Sequence, residues 1–367
     1  MVTRRIDAAT ATTLTIDGRE LLSFAGTSYL GLGHHPAVLD AVREALGRCG
    51  LTAGASRVTS GNFAEHEALE EALARFLGVE AVAITPDGWL ADAAALTAHF
   101  DEVDGLALDE DSHAALWSAA ALVSAHVWGF DSEDMTMTRA WLEEQAKVGA
   151  AILTDGVFPM AQRIPDLAAM LAALPSTPGV AGLVVVDDSH GLGMLGEGGR
   201  GSVRAAGLAD ERIVTTGSLA KSLGAAGGFV AGSFARIERV RSSGQIYDCT
   251  TPIPPAVAAG ARAAIEVLEQ EPERHARLLA NAAQLGGLAR VLDIDVHPVP
   301  IPVLAVPLPD ESKGRALESA LQRAGIFAPW TTYDGGAGDL RIAVTSEHNS
   351  EDLARLSAVL ESELSPR

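Results

Sequence analysis

The chain has 367 residues, a formal net charge of −21, 48% hydrophobic residues and 20% charged residues. This is a globular composition with room for two packed domains, and it excludes a disordered chain. The acidic balance excludes nucleic acid and an anionic membrane surface as ordinary partners, since both are held by basic contacts to phosphate.

Residues 1–35 read as an arm that runs through "TSYLGLGHHP" into a helix. Arg4-Arg5 is followed by "IDAATATTLTIDG", which has no apolar core of signal-peptide length. No run in the chain approaches the roughly 18 apolar residues of a membrane span. A cytoplasmic protein is the expectation. Cys49 and Cys249 are the only cysteines and neither lies in a CxxC pair, so neither a metal site nor a disulfide framework is expected.

Over residues 36–265 short β-rich runs alternate with helical stretches. "EAVAIT" (80–85) precedes a helix over 89–99, "GLALD" (105–109) one near 114–123, and "SAHVWGF" (124–130) one over 138–147. "AAILTDGVF" (150–158), "GLVVVDD" (182–188) and "RIVTTGSL" (212–219) read as further buried strands. The pattern predicts an α/β fold, with a large domain built on a mostly parallel sheet. In such sheets the ligand site lies beyond the carboxyl ends of the strands. Asp87, Asp109 to His113, Asp155 and Asp187 to His190 all fall there. Residues 266–367 change texture: a helix over 273–290, "IPVLAVPLP", a helix over 311–324, "DLRIAVTS" and a helix over 350–361 predict a smaller α+β domain.

Two short motifs mislead. "GLGMLG" (191–196) fits the dinucleotide fingerprint, but more glycines follow where the helix should begin. "SLAK" (218–221) fits the β-lactamase pattern, whose SDN and KTG companions are absent from the chain.

"TTGSLAKSLGAAGGF" carries the chemistry. The chain has three lysines against 24 arginines, and Lys221 sits in this run of small residues. A lysine amine can lose its proton and attack a carbonyl, which an arginine cannot do. Small residues and hydroxyls around such an amine suit a Schiff base to a phosphorylated aldehyde. Pyridoxal phosphate also needs a carboxylate at its ring nitrogen, and "VVVDDSH" supplies one 34 residues earlier. Each feature alone reads as a capped turn or a solvated loop charge; the two in this order point to the cofactor.

The chain also resembles the α-oxoamine synthases among fold-type I pyridoxal-phosphate enzymes. The resemblance runs from "SYLGLGHHP" to "RIAVTSEHNSEDLARL" and is carried by "GASRVTSGNFAEHEALEEALARFLG", "DSHAALWSAA", "TDGVFPM", "VVVDDSHGLGMLGEGGRG", "TTGSLAKSLGAAGG" and "CTTPIPPA". It implies that Lys221 holds the cofactor and later moves the proton. It implies that Asp187 pairs with the pyridine nitrogen, that His190 reaches the phenolic oxygen and that His113 stacks on the ring. Ser218 and the backbone N–H groups of Gly88 and Trp89 take the phosphate. Thr250 and Thr251 serve the phosphate of the neighbouring subunit, which implies a homodimer with shared sites. Arg341 binds the amino-acid carboxylate; the plainer reading of its position on a strand is a surface ion pair, and that of His113 is an exposed helix-start histidine. The implied reaction is decarboxylative condensation of an α-amino acid with an acyl thioester, acyl-CoA or acyl-carrier protein, giving an α-amino ketone. An aminotransferase, a decarboxylase on the same fold and a non-catalytic binding relative are the alternatives.

The pattern departs from the family in places. "PDGWLAD" puts Asp87 and Asp92 where the family has serine and asparagine, so Asp87 must point away from the phosphate or be paired. Pro159 replaces a serine, Asp155 a glutamate and Ala220 a serine. These changes face the substrate side and point to a specialised pathway, with an unusual amino acid or acyl donor.

Overall fold

The computed structural model describes residues 4–123, 126–132, 134–145, 148–175, 180–332 and 338–364. Ser124 and Ala125, at the start of one expected strand, and Lys147, at the end of an expected helix, lie outside them. The chain divides into two compact units, His35–Phe158 with Ile164–Gln270, and Met1–His34 with Pro159–Arg163 and Glu271–Arg367.

The larger unit holds a seven-stranded sheet. Its order is Ala81–Thr85, Gly228–Gly232, Ile213–Ser218, Ala181–Asp187, Gly149–Asp155, Gly105–Asp109 and His126–Phe130. The last five run parallel to one another, while Gly228–Gly232 is antiparallel to both strands beside it. The central strands are buried along most of their length, as expected for apolar runs covered by helices on both faces. Six of the seven match the β-rich runs of the sequence; "AAILTDGVF" ends as a strand at Asp155. The seventh, "GFVAG", was not foreseen. Its glycines and alanine mask a strand pattern, and Gly228 must be small, since a Cβ there would lie 2.2 Å from the Asp87 carbonyl oxygen.

The consequence of this topology is one shared edge. Thr85, Asp109, Asp155, Asp187 and Ser218 end five strands whose carboxyl ends lie together. The "GLGMLG" run opens no long helix. It forms tight turns closed by a Leu192↔Arg200 bridge, with only the four-residue helix Ser202–Ala205 after it.

In the second unit the expected arm is in fact a β-meander. Ile6–Ala9, Thr13–Ile16 and Arg19–Ser23 pair antiparallel, and the last pairs with Ile326–Phe327. The turn is Asp17-Gly18, both with positive φ of 50° and 71°, the hairpin geometry that an Asp-Gly pair favours. A three-stranded sheet follows, Val303–Pro307, Asp339–Ala343 and Trp330–Thr331, with helices Pro272–Val291, Glu311–Arg323 and Ser350–Leu364. Its core gathers Phe24, Leu321, Ile342 and Leu356, all fully buried.

Candidate active site

The helix Gly88–Ala98 starts at the sheet edge. Its N-cap is Asp87, exposed to solvent, whose Oδ1 accepts the Leu90 N–H at 2.8 Å. The Asp87 carbonyl takes the Ala91 N–H at 3.2 Å. These two bonds leave the N–H groups of Gly88 and Trp89 for a ligand at the first turn. The acidic Asp87 is thus the paired carboxylate that the sequence required. Gly88 packs on Ser218: a Cβ added to it would lie 2.9 Å from the serine Cβ. The Ser218 Oγ accepts the Ala220 N–H at 3.1 Å and opens the loop to Lys221, which is partly buried.

Asp187 ends the central strand at 8% exposure, and its Oδ1 accepts the Ser189 N–H at 2.9 Å. Asp188 points into the protein. Its Oδ2 accepts the Ser202 N–H at 2.9 Å, and its carboxylate fills the space where Gly156, Gly191 and Gly201 lack a Cβ. Burial, with Asp187 adding to it, pushes the Asp188 carboxyl up to about 7. The adjacent His190 is partly buried.

His113 is exposed and caps the helix Ala114–Ala120, its Nδ1 accepting the Ala115 N–H at 3.2 Å. Its backbone N–H is held by the Asp155 carboxylate at 3.3 Å. The Trp89 ring meets the His113 ring edge-on, with centroids 6.2 Å apart. The helix-start reading of this histidine therefore describes its local role, and the cap fixes its ring beside the Gly88–Trp89 turn. Burial, and then Asp187, push both Asp92 and Asp155 well above the usual carboxylate range, while Lys221 draws both down. One ammonium thus acts on two buried acids, Asp155 at a strand end and Asp92 on the helix Gly88–Ala98.

Thr250 ends the helix Gln245–Cys249, and its hydroxyl donates to the Ile246 carbonyl at 2.6 Å; Thr251 is exposed. In the other unit, Arg341 lies on the strand Asp339–Ala343 at 9% exposure and donates from Nη1 to the Gly26 carbonyl at 2.9 Å. It is buried rather than at the surface, and among the described residues it makes no ion pair.

Sequence reasoning missed the support behind the site. Arg57 and Glu70, both buried, form a two-pronged pair at 2.9 and 3.1 Å, and the Glu70 carboxylate also holds the Ile84 N–H at 3.0 Å. His66, fully buried, donates from Nε2 to the Ile253 carbonyl at 2.8 Å and accepts the Phe63 N–H on Nδ1 at 3.2 Å. The available signal was "GASRVTSGN" followed by an acidic amphipathic helix, which marks a segment but not its partners.

The donor set fits pyridoxal phosphate. Two N–H groups at a helix start and a serine are placed where an anion could bind, a carboxylate ends the neighbouring strand, and a lysine follows on the loop. The aminotransferase class I and II profile matches residues 19–360. The chain belongs to that family. It is 34% identical to the 8-amino-7-oxononanoate synthase of Methylococcus capsulatus, over 97% of this chain and 92% of that one. The serine palmitoyltransferase of Sphingomonas wittichii superimposes with a TM-score of 0.89 at 28% identity, covering 98% of this chain and 92% of that one. The enzyme from S. paucimobilis, solved with a bound PLP–myriocin aldimine, gives 0.89 at 25% identity with the same coverage. This family member is accordingly an α-oxoamine-synthase-like enzyme of fold-type I that depends on pyridoxal phosphate. No helix among the described residues is long and apolar enough to cross a membrane.

Proposed function

We propose that this enzyme joins an α-amino acid to an acyl thioester with loss of carbon dioxide, and does so as a cytoplasmic homodimer with shared sites. The observation that carries the site is the meeting of Gly88, Trp89, Ser218 and Asp187 at one sheet edge, next to the Lys221 loop.

Bound pyridoxal phosphate supplies an electron sink for the bond broken at the substrate α-carbon. The remaining work belongs to the chain. The N–H groups of Gly88 and Trp89 with the Ser218 hydroxyl hold the phosphate. Lys221 would anchor the cofactor covalently, and its amine would take and return the α-proton. Asp187, whose Oδ1 accepts the Ser189 N–H, would face the ring nitrogen and hold a proton there. His190 binds the phenolic oxygen, and His113, locked by its cap, covers the ring face. Arg341 takes the substrate carboxylate with its planar fork. Thr250 and Thr251 reach the partner's phosphate. Pro159 and Asp92, which replace a hydroxyl and an amide, support an amino acid and donor of a specialised biosynthetic pathway.

The test follows thiol, carbon dioxide and the cofactor spectrum with a panel of amino acids, with and without acyl-CoA or acyl-carrier protein. Condensation releases thiol and carbon dioxide together and leaves the cofactor as the aldehyde. Conversion of the cofactor to its amine without any thioester, and no thiol from any donor, would replace this reading by an aminotransferase.

A further inference from the structure

Asp92 is the fifth residue of the helix Gly88–Ala98 and is fully buried. Its Oδ1 accepts the Thr216 hydroxyl at 2.5 Å, and that hydroxyl also lies 3.5 Å from the Val186 carbonyl. Thr216 is the register partner of Asp187 in the sheet. The second oxygen, Oδ2, is buried and has no hydrogen-bond partner among the described residues. An ionised carboxylate here would leave half its charge unpaired in a buried site close to Asp187 and Asp155, which is strongly unfavourable.

The charges acting on Asp92 are Asp187 and Asp155, which oppose its ionisation, and Lys221, which favours it. Burial is the largest influence and opposes ionisation. Among the other elements packed on this helix, the strands Ala81–Thr85 and Gly228–Gly232 and the helix Ala114–Ala120 carry no titratable side chain. The helix Gln245–Cys249 brings Tyr247, Asp248 and Cys249. The helix Phe234–Ser243 brings Glu238 and three arginines; Arg236 and Arg239 pair with Glu102, and Arg241 with Glu70 and Glu238.

We propose that Asp92 is a positioning residue that enters the fold as the neutral acid, ties the helix that meets the phosphate to Thr216 beside Asp187, and costs the fold stability as rising pH forces its buried carboxyl to ionise. The part concerning the phosphate rests on Gly88 and Trp89 as its site; the state of Asp92 does not. The sign follows from linkage. The folded chain keeps a proton that the unfolded chain releases above the ordinary aspartate range, so stability falls as pH rises from there through the raised value. An asparagine has the same shape, accepts the same hydroxyl and has no proton to lose.

Thermal unfolding of the apoprotein and of the protein loaded with pyridoxal phosphate, from about pH 5 to about pH 9, tests this. Wild type is expected to lose more Tm with rising pH than Asp92→Asn, which should be at least as stable at the alkaline end. The Tm gain on adding pyridoxal phosphate should also decline with pH in wild type and less in the variant. Thr216→Val, which removes the one donor that favours the ionised form, should carry the fall to higher pH. Parallel pH profiles for wild type and Asp92→Asn would overturn the proposal. So would failure of Asp92→Asn to fold, because a neutral isostere must fit a site built for a neutral acid. If the cofactor binds neither protein, the reading of the phosphate site fails, while the apoprotein profiles still decide the state of Asp92.

Discussion

Gly88 stands so close to Ser218 that a methyl group on it would lie 2.9 Å from the serine Cβ and 3.3 Å from its Cα. Neither atom can swing aside, because Ser218 ends a strand paired on both sides. The contact sets where the first helical turn meets the lysine loop. Gly88→Ala should push that turn outward at a cost of about 1–3 kcal/mol. Its affinity for pyridoxal phosphate, followed by absorbance titration, should fall roughly ten- to hundredfold. Wild-type affinity in a folded Gly88→Ala protein would contradict the phosphate assignment.

Asp187 and Asp188 are neighbours with opposite duties, as their alternate directions on a strand require. Asp187→Ala should leave a folded protein that no longer processes the amino acid. Asp188→Ala should destabilise the fold, since it empties the space shared by Gly191 and Gly201 and frees the Ser202 N–H. The Asp188 carboxyl rests at about 7 in the fold, against roughly 3.9 for a free aspartate. Its folded value is raised, so its contribution is greatest below about pH 4 and is lost as pH climbs to about 7, a change on the order of a few kcal/mol. Denaturant unfolding of Asp188→Asn should show this pH dependence reduced. An unchanged profile would remove Asp188 as its source.

Arg57 and Glu70 tie the helix Ala64–Leu77 to the strand Ala81–Thr85, which leads directly into Asp87 and Gly88. Removing Arg57 leaves the buried Glu70 with Arg241, 3.3 Å away, as its remaining arginine. Arg57→Ala should therefore cost less than a wholly unpaired buried charge would, about 1.5–3 kcal/mol. Glu70→Gln should cost less and still weaken the cofactor, through a shifted Ile84. Chemical denaturation and cofactor titration measure the two effects separately. Neutral behaviour of both variants would show that the strand is held by packing alone.

The α/β character was legible because buried parallel strands announce themselves as short apolar runs: "GLVVVDD" and "RIVTTGSL" could hardly be anything else. The same rule hid Gly228–Gly232, where close backbone contact demands small residues that carry no strand signal. The hairpin at Asp17-Gly18 was missed although its signal is present, since "TLTIDGRE" alternates polar and apolar residues around an Asp-Gly turn. The order of Asp187 and Lys221 along the chain pointed to the cofactor. Which side chains brace them did not appear, because Arg57–Glu70 and Asp92–Thr216 are pairings across 13 and 124 positions. No local pattern encodes those. Asp87 was legible as a conflict, and its resolution by the Leu90 N–H needed only the cap geometry that an aspartate before a helix supplies.

Thr250 and Thr251 offer the sharpest test of shared sites. Thr250 already spends its proton on the Ile246 carbonyl, so the exposed Thr251 hydroxyl is the donor left for a phosphate in another subunit. The segment is held in place from behind, since His66 grips the Ile253 carbonyl two residues on. A Lys221→Ala subunit lacks the anchor in its own site but carries sound threonines. A subunit with Thr250→Ala and Thr251→Ala has the reverse defect. Neither homodimer should be active. In a mixed dimer one site combines Lys221 of the second subunit with the threonines of the first, and the other site has both defects. Random exchange makes about half of all dimers mixed, so thiol release should recover to about a quarter of the wild-type rate per subunit. Verified heterodimers, isolated through two different affinity tags, must carry that activity. Silence in those heterodimers would mean that each subunit completes its own site, and the threonines would then be only the end of a helix.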